Sequence, residues 1–376
     1  MGKKHTFGFI FLFSVLAAFA AGCGILGSPQ GTGERPGSGR REISIFITND
    51  VHFLAPSLHD NGPRYRAIIS GHDGKNTEAQ PALLGALHRA VETEKPDILL
   101  LNGDLTFNGE RESHESLARY LGELEKTGTS VFVLPGNHDI SNPFARSFFN
   151  NEARVVPSIR PREFASIYRD FGFAEALSRD RASLSYTAEP LPGLRLLMLD
   201  SCKYKNNTAR GFPEAGGAFS QATRRWIRGE VKKARQDGAL LLVSLHHSIM
   251  DHHPMVHDGF TIDDAESFQD LLVEEGVQFV LSGHIHAQEI SVRQKEAGTV
   301  YDIATSALSV YPHQIASLVI SPGGALARPL PATLLSDTPL PDALLSETPL
   351  PDTALQDEPL QNEPAQGAWR YAVKPL

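Results

Sequence analysis

Five short groups of histidine, aspartate and asparagine recur along the chain. They are Asp50-Val51-His52, Gly103-Asp104, Gly136-Asn137-His138-Asp139, His246-His247 and Gly283-His284-Ile285-His286. Carboxylate, imidazole and amide oxygen are donors that divalent transition metals take. One such group means little. Asp50 alone could cap a helix, Gly103-Asp104 and Gly136-Asn137 could be turns, and His246 could be a core histidine with its hydrogen bonds satisfied. Five groups of one chemical kind ask for a common explanation, and the set is large enough to hold two ions.

The segment before each group says what positions it. Residues 43–47, 98–101, 131–134, 240–245 and 279–281 are apolar runs of strand length. Each group therefore falls at the carboxyl end of a predicted strand. In an open α/β sheet those ends share one edge, and ligands bind there. Helical periodicity marks residues 78–94, with Leu83, Leu84, Leu87 and Val91 on one face, and residues 111–126, stopped by Gly128. With the first three strands these helices give a βαβαβ rhythm and a layered α/β fold. Residues 162–171 read as a helix, and 183–187 and 194–200 as paired strands. Residues 221–236 form a helix capped by Ser220, and 264–275 form another. Residues 289–292, 300–303 and 316–320 read as short strands completing a second sheet.

The order of the groups resembles the calcineurin-like metallophosphoesterase superfamily, whose pattern D-x-H, G-D, G-N-H-[DE], H, G-H-x-H runs here from Asp50 to His286. The wording of Gly103-Asp104-Leu105-Thr106, Gly109-Glu110 and Leu134-Pro135-Gly136-Asn137-His138-Asp139-Ile140 is similar to a branch of bacterial cyclic-nucleotide phosphodiesterases. The resemblance covers roughly residues 42–320. It implies a four-layer α/β/β/α sandwich of two mixed sheets, the metallo-dependent phosphatase fold. It also implies two divalent ions, Mn, Fe or Zn. Asp50, His52, Asp104 and His286 would hold the first. Asp104, Asn137, His246 and His284 would hold the second, with Asp104 bridging. The residue types suit this, since one carboxylate can span ions about 3.5–4 Å apart, and Asn137 limits the negative charge. In regular β geometry His284 and His286 point to one side of the chain.

In this scheme two cations polarise the phosphoryl oxygens and bring a bridging water toward ionisation near neutral pH, and the hydroxide attacks phosphorus in line. His138 is the candidate general acid for the leaving alkoxide, and Asp139 orients or charges its ring. Neighbours in a strand point to opposite faces, so one of His246 and His247 is the ligand. The family's element selects His246, although Ser248 stands where that element often has proline. The implied function is hydrolysis of phosphodiesters, cyclic nucleotides or related small diesters. A phosphomonoesterase or protein phosphatase with the same site, and a catalytically silent surface-binding lipoprotein, are the alternatives.

Several residues keep two readings. The cluster His252, His253 and His257 could cover the site or form a polar surface loop. Asn108 and His114 could touch substrate, or cap a helix and sit at the surface. His59 and His72 fall in a glycine-rich rim loop. Phe53 and Tyr311 could stack on a nucleobase or simply pack.

With 376 residues and 41% hydrophobic content, the chain can build one sizeable domain with appendages. Its net charge is −9 and the folded region has no Lys/Arg block, so no nucleic-acid-binding patch is expected. Lys3 and Lys4 precede an apolar run over residues 7–21 that ends in Ala20-Ala21-Gly22-Cys23. This resembles a bacterial lipoprotein signal over residues 1–22. It implies a lipidated Cys23 and an extracytoplasmic protein anchored in the bacterial cell envelope. Ala20 stands where leucine is usual, and an ordinary secretory signal is the alternative. Cys202 is the other cysteine, so a disulfide framework is excluded. Residues 23–41 read as a flexible tether and 42–320 as the phosphoesterase domain. Residues 321–376 read as a solvated acidic tail, with a ten-residue near-repeat at 334–343 and 344–353 whose regular prolines forbid helix. Trp369 and Tyr371 could be a docking tip or a frayed terminus. Oligomeric state leaves no trace in the sequence.

Overall fold

The computed structural model describes residues 42–71, 74–253, 259–321 and 369–376. The expected signal, the tether and the near-repeat lie outside the described residues, and so do His72 and His257.

The chain opens with β1 (Ile43–Thr48), α1 (Pro63–Ile69), α2 (Gln80–Glu94), β2 (Ile98–Asn102), α3 (Arg111–Glu125) and β3 (Ser130–Leu134). A hairpin of β4 (Arg146–Phe149) and β5 (Glu152–Val155) leads to α4 (Pro161–Ile167), β6 (Ser178–Arg179), β7 (Tyr186–Leu191) and β8 (Leu194–Leu199). Then come α5 (Asn207–Arg210), α6 (Gln221–Gln236), β9 (Leu240–Leu245), α7 (Ala265–Glu274), β10 (Phe279–Ser282), β11 (Glu289–Lys295), β12 (Gly298–Ala304), β13 (Gln314–Ile320) and β14 (Trp369–Pro375).

One sheet has the order β14-β13-β1-β2-β3 and the other β11-β12-β10-β9-β8-β7-β6. Both are mixed. β1, β2 and β3 run parallel, with β13 antiparallel to β1. β8, β9, β10 and β12 run parallel, with β7 and β11 antiparallel at the flanks. The period of two sorts the second sheet's side chains between layers. Leu194, Leu196 and Met198 of β8 join the core shared with the first sheet, while Leu197 and Leu199 join the core under α6 and α7. On the first sheet's other face, α2 buries Leu83, Leu84, Leu87 and Val91 as its periodicity predicts. Each such leucine contributes roughly 1.5–3 kcal/mol. The layers are helix, sheet, sheet and helix, as expected. Ser220 caps α6 by accepting from the Thr223 amide at 3.1 Å.

Four expectations are amended. β13 belongs to the first sheet beside β1, not to the second; its apolar pattern fixes which residues are buried but not which neighbour it takes. β14 pairs with β13 from Gln314↔Pro375 to Ile320↔Trp369, so the last residues of the expected tail return to the domain. α4 ends at Ile167 and gives way to a wider turn over Arg169–Phe173, where Gly172 takes φ 103° and ends regular helix. Strand β7 also begins later than expected, because the Ser183 hydroxyl bonds Asp180 and offers the backbone a turn.

Candidate metal centre

β1, β2, β3, β9 and β10 end at Thr48, Asn102, Leu134, Leu245 and Ser282, and the five groups follow them directly. Asn102 joins the two sheets at this edge. Its Oδ1 accepts from Ser244 Oγ at 2.6 Å and its Nδ2 donates to the Leu281 carbonyl at 3.4 Å. Its own carbonyl receives Nδ1 of His246 at 2.8 Å. A carbonyl takes only a donor, so Nδ1 carries the proton and Nε2 of His246 presents a lone pair. That Nε2 lies 3.5 Å from Asp104 Oδ1 and 3.1 Å from Asn137 Oδ1. His284 completes this side of the site. Its Nε2 faces the Gly259 carbonyl at 3.0 Å, which leaves Nδ1 as the free donor atom.

The other side is built on Asp50, His52 and His286. His52 Nε2 lies 3.3 Å from His286 Nε2, 3.7 Å from Asp50 Oδ1 and 3.5 Å from Asp104 Oδ2. His286 Nε2 lies 3.2 Å from Asp50 Oδ1. Asp104 therefore turns one oxygen to each side. Asp50 Oδ1 is buried without a hydrogen-bond partner, whereas Oδ2 accepts from the His284 amide at 2.9 Å and from Asn49 Nδ2. An unpartnered carboxylate oxygen facing two ring nitrogens that face each other is costly unless a cation sits among them. The donor set fits two divalent cations.

Strain supports this arrangement. Asp50, His52, Asp104, His284 and His286 have φ of 51°, 46°, 48°, 68° and 57°. Left-handed backbone costs roughly 1–2 kcal/mol for most residues, is best tolerated by Asn, Asp and His, and clusters at functional sites. It also corrects one expectation. His284 and His286 lie beyond the end of β10, so the turned backbone, not β alternation, sends them to opposite sides of Asp104. Gly136 is part of the same fit: a Cβ there would lie 2.1 Å from the amide and Oδ1 of Asp104.

Charge follows geometry. Against the upward push of burial, the facing His286 holds the Asp50 carboxyl below its ordinary value. Asp104 is likewise held well below, against burial, by His246 and then His138. Burial pulls His246 down, but Asp104 more than offsets this and raises it to about 9, so a cation at Nε2 competes with a proton for the same lone pair. Burial lowers His284 to about 4, with His246 adding to the effect.

His138 stands beside this set. Its Nδ1 lies 3.0 Å from the Phe107 carbonyl and 3.1 Å from Asn108 Oδ1, and its Nε2 lies 3.9 Å from Asp104 Oδ2. Asp139 does not meet the His138 ring. Its Oδ2 accepts from the amides of Gly136 and Leu105 and its Oδ1 from the amide and hydroxyl of Thr106. It braces the Asp104 loop against the Asn137 loop. The expected carboxylate–histidine pair is replaced by a carbonyl and an amide, because Asp139 is turned away toward four donors.

Of the adjacent histidines, His247 has both nitrogens engaged, with Ser201 Oγ at 2.8 Å and the Ala215 carbonyl at 2.7 Å. His252 lies 3.2 Å from Asp302 Oδ2 and 3.1 Å from Ser291 Oγ, anchoring its loop to β11 and β12. His114 is not at the surface. It is fully buried, with Tyr168 OH and the Asp139 carbonyl each 2.9 Å away. His59 stacks on Tyr65 at 4.0 Å, Phe53 is buried in the core, and Tyr311 is exposed. The Cys202 thiol donates to the Pro135 carbonyl at 3.3 Å, and burial then Asp200 keep it protonated. Sequence reasoning missed Lys75, which is only 8% exposed. It bridges Val310, and the neighbouring Ser309 donates its hydroxyl to the Asp50 carbonyl at 2.7 Å. After burial, the Lys75 charge is the main influence lowering His52, and it also lowers His138. A lone lysine at the end of a glycine-rich stretch gave no signal.

A family model described as calcineurin-like phosphoesterase matches residues 43–288. A 3′,5′-cyclic-nucleotide phosphodiesterase from Nostoc sp. is 34% identical over 99 residues, 26% of this chain and 31% of that protein. A probable glycerophosphodiester phosphodiesterase from Arcobacter nitrofigilis is 24% identical over 200 residues, 51% of this chain and 57% of that protein. In both the match spans less than two thirds of the relative's length. A solved dimetal phosphatase from Danio rerio shares the fold with a TM-score of 0.51 at 13% identity, covering 74% of this chain and 94% of that one.

Proposed function

The chain belongs to the calcineurin-like phosphoesterase family, and from that premise we propose that it is a dinuclear-metal phosphodiesterase acting on cyclic nucleotides or related small diesters. Family membership implies a metal-dependent phosphoric ester hydrolase. The preference for diesters is supported by the names of the two distant relatives. The observation that carries the reading is Asp104, whose two oxygens each lie 3.5 Å from a ring nitrogen on opposite sides, His52 and His246.

Asp50, His52, Asp104 and His286 would hold one cation, and Asp104, Asn137, His246 and His284 the other. When bound, the two cations polarise the phosphoryl oxygens and make water nucleophilic near neutral pH. The protein's own groups do the rest. Asp104 fixes both sides in one frame. The Phe107 carbonyl and Asn108 accept from Nδ1–H of His138, so in the doubly protonated ring it is Nε2–H that gives its proton to the departing alkoxide and leaves the neutral Nδ1–H imidazole. Lys75 adds a cation that favours an anionic substrate.

We place the enzyme in the bacterial cell envelope, tethered through a lipidated Cys23. External nucleotides, 2′,3′-cyclic nucleotides or diesters of lipid and wall polymers suit that location better than intracellular cyclic nucleotides. Among the described residues no helix is long and apolar enough to cross a membrane. Membrane fractionation that survives Cys23→Ser would rule out the lipid anchor.

The test of activity is turnover by the Mn²⁺-reconstituted protein of bis(p-nitrophenyl) phosphate, p-nitrophenyl phosphate and a panel of cyclic nucleotides. Diester turnover is expected to dominate. Exclusive monoester hydrolysis would overturn the diesterase assignment.

A further inference from the structure

A cleft of about 860 Å³ lies beside the segment that follows His138. Its wall includes Asn142, whose Nδ2 donates to the His138 carbonyl at 3.0 Å and to Asn108 Oδ1 at 3.2 Å. Five cations also line it: Arg160, Arg162, Arg179, Arg181 and Lys205. They come from three separate stretches of sequence, which is why the chain shows no basic block. All five are exposed, and none makes an ion pair among the described residues.

The nearby acids are committed elsewhere. Asp180 sits between two of the arginines, but its oxygens accept from the Ala182 amide, the Ser183 hydroxyl and the Thr223 hydroxyl at 3.1, 2.7 and 2.7 Å. Glu163 pairs with Arg111. Arg179 stacks over the Phe173 ring at 5.1 Å, a contact that fixes the guanidinium and leaves its N–H edge free. Five cations face one concavity against the charge of Asp180 and that of Glu163, the latter shared with Arg111, which leaves a net positive field in a chain of net charge −9. Arginine forks match phosphate oxygens in pairs.

We propose that this cleft is a second anion site, separate from the metal centre, that binds a ligand carrying at least two phosphate charges. The ligand is either the phosphorylated remainder of an extended substrate or a free oligophosphate. The site does not depend on the phosphodiesterase reading.

The test is calorimetric titration of inorganic pyrophosphate into the full chain in excess EDTA, so that bound metal contributes nothing. Wild type is expected to bind, and Arg162→Glu/Arg181→Glu to bind about tenfold or more weakly, because two paired contacts become repulsive. Arg225→Glu/Arg228→Glu, an equal charge change on α6 outside the cleft, should bind like wild type. Equal weakening in both variants, or no binding by wild type, overturns the site. A second arm compares KM of the holoenzyme for a diester with and without a pendant phosphate. A KM advantage for the pendant phosphate that disappears in Arg162→Glu/Arg181→Glu identifies the substrate's own phosphate as the ligand. Calorimetric binding with no such advantage identifies a free oligophosphate. Failure of hydrolysis in every variant would count against the phosphodiesterase reading and leave the calorimetric result standing.

Discussion

Nδ1 of His138 lies 3.0 Å from the Phe107 carbonyl, and this contact settles which nitrogen can move a proton. A carbonyl accepts only from N–H, so Nε2, facing Asp104 Oδ2 at 3.9 Å, is the atom aimed at the reacting group. His138→Ala should lower kcat by roughly 10²–10⁴-fold for an alkyl diester, whose leaving group needs a proton. The loss should be much smaller for bis(p-nitrophenyl) phosphate, whose leaving group does not. Metal content should stay at two ions by elemental analysis. An equal loss on both substrates would show that His138 positions the centre and does not donate a proton.

Asp139 is expected to behave differently from its neighbour. It accepts from Gly136, Leu105 and twice from Thr106, and burial followed by Asp104 raises its carboxyl to about 7. Asp139→Asn turns an amide N–H₂ toward backbone donors and should cost about 2 kcal/mol of stability. Thermal melting should register this as a lower Tm. The fraction of protein that still carries two metals should keep near-normal kcat. A full-occupancy variant with a collapsed kcat would restore a direct chemical role.

Gly136 offers a sharper test of how closely the two loops meet. A methyl group would lie 2.1 Å from the Asp104 amide and Oδ1, which backbone cannot yield. Gly136→Ala should displace Asp104 and lose at least one ion by elemental analysis, with the fold retained by circular dichroism. Two ions at wild-type affinity would mean that the loops separate easily.

Much of this was legible in sequence because ligand type and strand end coincide. The run before Asp50, Asp104, Asn137, His246 or His284 reads as a buried strand on composition alone. What stayed hidden is non-local. The left-handed φ of Asp50 or His286 comes from tertiary packing that overrides extended backbone. Residues 316–320 read as part of the second sheet and lie in the first, because one face pattern suits either partner. Asp139 sits next to His138 in sequence and away from it in space, since adjacent residues leave a turn in different directions. Asn102 joins two sheets through residues 142 and 179 positions away, a relation no short window contains.

Lys75 is the cation nearest in effect to His52, and it is buried beside the Asp50 loop. A point charge there should attract the anionic diester without touching either metal. Lys75→Met keeps the apolar stem and removes the charge. It is expected to lower kcat/KM roughly tenfold with metal occupancy unchanged. The loss should appear mainly in KM. Unchanged kcat/KM would assign Lys75 to packing.

His114 supplies a pH dependence that is separate from the metals. It is buried between Tyr168 OH and the Asp139 carbonyl, and burial lowers it to about 3 from an ordinary 6.5. The folded state holds it neutral while the unfolded chain takes up a proton below about 6.5. Protons therefore favour unfolding throughout that window, and this contribution to stability is lost as pH falls from about 6.5 toward about 3. The slope from this one group is ~1.4 kcal/mol per pH unit. His114→Gln removes the titration but keeps a hydrogen-bonding side chain. Urea melts of the EDTA-treated protein between pH 7 and pH 4 should show a shallower acid loss in the variant, even where it starts less stable. Parallel curves would mean that His114 is reached by solvent before the fold opens.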